Sequence, residues 1–358
     1  MNPVRNSQNI NTSEHSSQVS NKSVISNRVN VIANRKIFLS IAAVIVVVSV
    51  GIIATFGVKV GIDFTGGSLT EVSYSVAPDK AAVEQVVTEL AFEGSSVRES
   101  IDESGNSAYL IRTRDLSESE RVNLSDAVTN LGSEGQISRF TSIGPVIGQE
   151  LRDKAVWAIA AVLLVIILYV AYAFAGIGTP VRSWTYGGIT ILVLMHDILV
   201  PTAVMSLLGL FLGAEIDVLF VMALLAVLGY SVNDTIVIFD RVREQLVANR
   251  TEHRVEREEA GVVMADVTYT LNKPYVELVE TAVSQSLARS INTSLTTIVS
   301  LTALYFIGGD ITQTFALVLL AGVIAGTYSS IFVASPLVVA YAKWRGVDVD
   351  SVQTTKVI

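Results

Sequence analysis

The sequence predicts an α-helical integral membrane protein with six transmembrane helices and one small α+β domain held outside the bilayer. Three observations carry that fold class. Of 358 residues, 51% are hydrophobic and 16% are charged, where a soluble domain carries roughly 25% charged residues, and mean hydropathy is +0.53. Apolar runs recur six times near the ~20 residues that a crossing helix needs. Lys and Arg gather in alternate connections between those runs, the pattern that orients a multi-span chain.

Composition also removes several function classes. A net charge of −8 offers no basic face to nucleic acid, and the absence of cysteine excludes disulfides, zinc–thiolate sites and iron–sulfur clusters. His15, His196 and His253 lie too far apart in sequence for metal-ligand spacing. Neither a metal nor any other cofactor is expected.

Residues 1–34 hold eight Asn and seven Ser without apolar periodicity. Such a tail buries too little to offset its ordering entropy, so it reads as a disordered cytoplasmic tail and not as a signal peptide. The spans are expected at Ile37–Gly57, Ala155–Gly176, Gly187–Leu208, Val218–Ile238, Ile291–Ile307 and Thr314–Ala340, the first domain segment being 35–57. The fifth is short unless its helix starts earlier. Arg28, Arg35 and Lys36 precede span one, Arg182 follows span two, Arg241 and Arg243 follow span four, and Lys343 and Arg345 follow span six. The other connections, "GLFLGAEID" and "GGDIT", have acids and no bases. Both termini are therefore expected in the cytoplasm, with cytoplasmic segments 239–288 and 346–358 and an extracytoplasmic head over 58–154.

Within the head, Ser68–Ser75 alternates as a strand and Pro78 opens the helical stretch "PDKAAVEQVVTELA". Strand-like "SSVRES" and "SAYLIRTR" flank the turn "DESGN". Ser117 and Glu120 form a capping box for the next helix, Gly132 is expected to stop it, and "GQISRFTSIG" is the last strand. The order βαββαβ is that of a ferredoxin-like head. The glycine-rich "GIDFTGGSLTEV" that opens the domain lacks the strand-then-helix context of a phosphate loop. Gly61, Asp63, Gly66 and Gly67 read instead as a sharp hinge between membrane helix and head.

Ionisable groups inside spans need a reason, because each costs several kcal/mol. Asp234 sits between "LLAVLGYSV" and "TIVIF" in span four, and Arg289 falls at a similar depth if span five begins near Thr281. They read either as a structural ion pair or as a proton site in which Asp234 alternates between a proton and Arg289. His196 and Asp197 in span three read as a proton relay or as a packing hydrogen bond. Adjacent helix positions diverge by ~100°, so the two cannot both face one partner. Ser231 and Asn233 are expected as packing or solvating partners. Gly322 and Gly326, beside Ala321 and Ala325, form a small-residue face for close helix approach, and Gly229 reads the same way.

Six stretches together resemble the SecD/SecF family of bacterial protein export: "GIDFTGGSLTEV", "IGPVIGQELR", "LMHDIL", "LGYSVNDTIVIFDRVRE", "QSLARSINTSLTT" and "GVIAGTYSSIFVASPL". Six spans with a single small head are similar to the SecF branch. Two features depart from the family, the Asn/Ser-rich tail and the long segment around 249–272 that carries "RTEHRVEREEAG". The resemblance implies a non-enzymatic subunit of the cell membrane that pairs with SecD, assists the Sec translocon channel and moves preprotein with the proton gradient. It also implies that Asp234 and Arg289 match the transmembrane Asp and Arg of the wider resistance-nodulation-division superfamily. The alternatives are a proton-coupled exporter of small molecules or lipids and a passive assembly scaffold.

Overall fold

The computed structural model describes residues 30–356 except 93, 103–104, 175–179, 260–261 and 353. Most of the expected tail, His15 and the end of the second span at Gly176 lie outside the described residues. Helix α1 (Arg35–Phe56) leads through the four-residue α2 (Ile62–Thr65) into the head. There β1 (Gly67–Ser73), α3 (Lys80–Glu89), β2 (Ser96–Ile101), β3 (Ser107–Thr113), α4 (Glu118–Thr129) and β4 (Gln136–Ile143) follow in order. The sheet runs β2-β3-β1-β4, antiparallel throughout.

Strand alternation divides the head sheet into two faces. Val72, Tyr109 and Ile111 join Val83, Val87, Leu124 and Val128 of the two helices in one core. Asp79 caps α3, and Ser117 with Glu120 completes the capping box of α4. The helix stop works differently from the expectation. α4 ends at Thr129 with Asn130 as its C-cap, and Gly132 acts by leaving room for a ring, since a Cβ there would stand 2.5 Å from Cδ1 of Tyr74. The Tyr74 hydroxyl donates to the Val128 carbonyl at 2.7 Å, closing the core at that end.

Arg114 donates to Glu120 at 2.5 Å, and the Ser117 amide donates to the same carboxylate at 2.9 Å. These bonds, with the Arg114 bond foremost, pull the Glu120 carboxyl from 4.5 down to about 2. A depressed acid adds stability above its unfolded value and loses it as pH falls through the folded one. Amide protection in the first turn of α4 should therefore decline between about pH 4.5 and about 2, and Glu120→Gln should abolish that dependence in hydrogen-exchange measurements.

Six helical rods make the bundle: α1, α5 (Pro145–Ala173), α6 (Ser183–Phe211), α7 (Val218–Ala248), α8 (Tyr275–Ile307) and a last rod. That rod is α9 (Asp310–Ser329), a π-helical turn at Ser330–Ala334 and α10 (Ser335–Trp344). The short fifth span resolves as a helix that begins at Tyr275. Tyr275, Leu278, Val279, Ala282 and Val283 are buried at helical spacing, while Glu277 and Glu280 between them hide this start from a hydropathy window.

The expected connection over 239–288 is correspondingly shorter. α7 runs on to Ala248, and a hairpin of β5 (Arg250–Glu259) and β6 (Val262–Leu271) follows, with β7 (Thr354–Lys356) paired to β6. At the other boundary, Val31 and Ile32 are fully buried although they belong to the expected tail. Glu280 explains this, accepting both of their amides, at 3.0 and 2.7 Å. Those amides lie just ahead of α1, where backbone donors have no helical partner.

Candidate functional site

Three inner helices carry a buried polar seam. On α6, His196 Nδ1 and Asp197 Oδ1 stand 2.9 Å apart, and Asp197 is 0% exposed. Its other oxygen accepts from Ser329 of α9 at 2.8 Å and from Ser231 of α7. One carboxylate thus joins α6, α7 and α9. Which group donates in the His196–Asp197 bond follows the imidazole tautomer. His196 Nε2 is buried and has no hydrogen-bond partner among the described residues. The neighbours diverge as the helix period requires: Asp197 reaches the two serines, and the His196 ring lies 6.2 Å from that of Tyr328. Sequence reasoning missed Ser329, which sits one residue ahead of the π-helical turn at Ser330–Ala334.

Small residues on α9 permit the approach. A Cβ on Gly322 would collide with Val227 of α7, and one on Gly326 would meet Ser231 Cβ at 3.0 Å. The Gly322–Gly326 face therefore packs within this chain. Gly229 does not share that role, because nothing stands within 4 Å of where its Cβ would be. It is exposed on the side of α7 turned away from Val227, Leu228 and Ser231, and Asn233 is exposed as well.

Asp234, one turn beyond Ser231, is 5% exposed. The Ser290 hydroxyl of α8 stands beside its carboxylate, yet Asp234 Oδ2 and Ser290 Oγ both lack hydrogen-bond partners. Arg289, on the next position of α8, is exposed, and no ion pair within 4.0 Å joins it to Asp234 among the described residues. Further along the seam, Ser294 of α8 accepts from Tyr230 at 3.1 Å and from Thr327 at 2.6 Å. The structure brings His196, Asp197 and Ser231 together and leaves Asp234 and Arg289 without a direct ion pair among the described residues, though near enough for their charges to interact.

The hinge residues form a joint between the head and the same helix. Asp63 accepts from the Val218 amide at 2.9 Å, so the head's entry turn caps α7 directly. Asp217 caps it too, accepting from Phe220 at 2.8 Å. Burial pushes the Asp217 carboxyl up; the Phe220 amide opposes that push and the Asp63 charge adds to it. Gly61 donates to the Ile216 carbonyl at 2.8 Å, and Arg112 pairs with Glu215 at 2.7 Å. Gly66 and Gly67 adopt φ of +75° and +128°. A Cβ on Gly66 would stand 2.8 Å from Pro145 Cα, and one on Gly148 2.7 Å from the Gly66 nitrogen. The two glycine-bearing segments thus interlock where α5 leaves the head. Between the open sheet face and the bundle lies a cavity of about 900 Å³ that includes Leu69, Arg98, Leu110, Met205, Phe220 and Phe315.

A family model for the C-terminal region of the SecD/SecF protein export membrane proteins matches residues 123–344, and a SecD/SecF GG motif model matches 51–77. The protein translocase subunit SecF of Thermobaculum terrenum is 34% identical over 87% of this chain and 94% of its own length. The SecF of Sebaldella termitidis is 31% identical over 87% and 91%. The crystal structure of SecDF, a translocon-associated membrane protein from Thermus thermophilus, superposes with a TM-score of 0.72 at 29% identity. That match covers 89% of this chain and 39% of the SecDF chain.

Proposed function

The chain belongs to the SecD/SecF family of protein export membrane proteins, and from that premise we propose that it acts with SecD to couple a proton gradient to Sec-dependent polypeptide export. Asp234 is the proton-binding group. Its burial beside Ser290, with one oxygen unpartnered, is the observation that carries this reading. A bare carboxylate at that depth is costly, and it lowers its energy either by taking a proton or by pairing with Arg289. In this reading, an arrangement in which Asp234 and Arg289 make no direct ion pair is the protonated one. Arg289 moving in to pair with Asp234 gives the other.

One charge crossing 100 mV is worth about 2.3 kcal/mol, enough to reverse a two-state bias of that size. The shift travels along α7, whose first turn Asp63 ties to the head. The head, whose strand order supports a ferredoxin-like plan, meets emerging preprotein at the open sheet face. Lys and Arg placement supports cytoplasmic termini and an extracytoplasmic head in the bacterial inner membrane. The chemistry is non-covalent, with protons as the coupling ion and no other cofactor.

The test is preprotein transport in membrane vesicles with and without a proton gradient. Wild type should respond to the gradient, and Asp234→Asn should transport at the gradient-free rate under both conditions. Stimulation that persists in Asp234→Asn would eliminate the proton role.

A further inference from the structure

A second, smaller cavity of about 320 Å³ lies between α5, α7 and α8, at the end of the bundle away from the head. Its lining includes Tyr169 of α5, Asp240, Arg241 and Arg243 of α7, and Arg289 of α8. Three guanidiniums thus face one carboxylate. Tyr230 meets Ser294 at 3.1 Å and Asp234 stands beside Ser290, so Arg289 is rooted on α8 near the depth of Thr235, and its side chain lines the same cavity as Asp240 and Arg241. From Val218, ~20 residues of α7 cross the hydrocarbon, which places Arg241 just past its edge, at headgroup depth.

The cations there are not equally engaged. Arg241 pairs with Glu244, and Arg243 donates to the Ala173 carbonyl at 3.2 Å. Arg289 makes no ion pair and no side-chain hydrogen bond among the described residues. A guanidinium at a membrane edge presents five donors in a planar fork that matches two oxygens of a phosphate. Basic pockets between spanning helices take anionic headgroups for that reason. Tyr169, 54% exposed, supplies an aromatic wall of the kind that sits at headgroup level.

We propose that this cavity holds the phosphate of an anionic phospholipid from the adjoining leaflet, with Arg289 as its anchor and Arg243 as its second donor. The consequence for transport rests on the reading of Asp234 given above. One guanidinium cannot serve both groups, so a bound headgroup keeps Arg289 away from Asp234 and favours the protonated arrangement. Lipid composition then sets the bias that the proton gradient must overcome.

The binding claim is tested apart from transport. Full-length protein from nanodiscs containing equal phosphatidylglycerol and phosphatidylcholine is released for native mass spectrometry, and the retained lipids are counted. Wild type should retain phosphatidylglycerol in preference, and Arg289→Gln should reduce that retention about tenfold, the loss of one charge-assisted bond pair. Arg243→Gln should reduce it less, and Arg182→Gln, outside the cavity, should leave it unchanged. Should Arg289→Gln fold poorly, Asp240→Asn serves instead and should raise retention by removing the carboxylate that lines the cavity. Equal retention of the two lipids, or retention indifferent to both cavity arginines, overturns the proposal. Displacement of the lipid by millimolar inorganic phosphate overturns its lipid source and leaves a free-phosphate site. None of these outcomes depends on whether Asp234 carries a proton.

Discussion

Asp197→Leu should lower the stability of the bundle by about 2–4 kcal/mol, whereas Asp197→Asn should cost about 1 kcal/mol. The Asp197 carboxyl group accepts from Ser231 and Ser329 and shares a hydrogen bond with His196, residues that stand on α7, α9 and α6. Polar bonds between membrane helices average about 0.6 kcal/mol each, so three of them account for about 2 kcal/mol. Leucine also leaves His196 Nδ1 and the Ser231 hydroxyl without this partner in an apolar surround, which adds to the loss, while Ser329 keeps the Gly326 carbonyl at 3.1 Å. Asparagine keeps an acceptor oxygen and similar volume, and the serines can rotate to accept from its amide. Thermal unfolding of protein held in nanodiscs, followed by circular dichroism, separates the variants. A midpoint for Asp197→Leu equal to that of wild type would show that the three-helix bond set carries no stability.

The second large effect belongs to the entry turn. Gly66→Ala should destabilise the joint by about 3 kcal/mol, combining a backbone region nearly closed to side chains with a clash against backbone. Gly66 has φ +75° and ψ 166°, and its added Cβ would lie 2.8 Å from Pro145 Cα, which cannot rotate away. Gly67→Ala meets the same problem against the Thr113 carbonyl at 2.6 Å, with φ at +128°. Gly144→Ala is the control, since nothing lies within 4 Å of its Cβ position, and it should stay within about 0.5 kcal/mol. Hydrogen exchange over residues 61–67 and limited proteolysis between head and bundle should both accelerate in the first two variants and not in the third. Unchanged protection in Gly66→Ala would mean that the interlock is too loose to carry motion.

The number of spans, their order, the element order of the head and the capping box of α4 were legible because each is a local property. Twenty apolar residues must cross, period-two alternation must make a strand, and Ser117 with Glu120 must cap whatever helix follows. Gly66 and Gly67 were legible as special, since a paired glycine at a domain entry signals unusual backbone. Their contact with Pro145 and Gly148 was not. The start of α8 at Tyr275 was hidden because its buried stripe alternates with acids, and the latch of Glu280 onto Val31 and Ile32 spans 248 residues or more.

By itself, then, the chain's sequence determined a six-span membrane bundle with one small head, a glycine turn joining them, and the few ionisable groups placed in lipid. Only the tertiary structure decided how those groups are shared. It set Asp197 at the centre of a three-helix bond network, left Asp234 Oδ2 beside Ser290 without a hydrogen-bond partner among the described residues, and left Arg289 exposed. The physical reason is that burying a charge at a given depth depends on sequence alone, whereas its partner depends on the rotation of each helix about its axis. That rotation is settled by packing between helices far apart in the chain, here Gly322 against Val227 and Gly326 against Ser231.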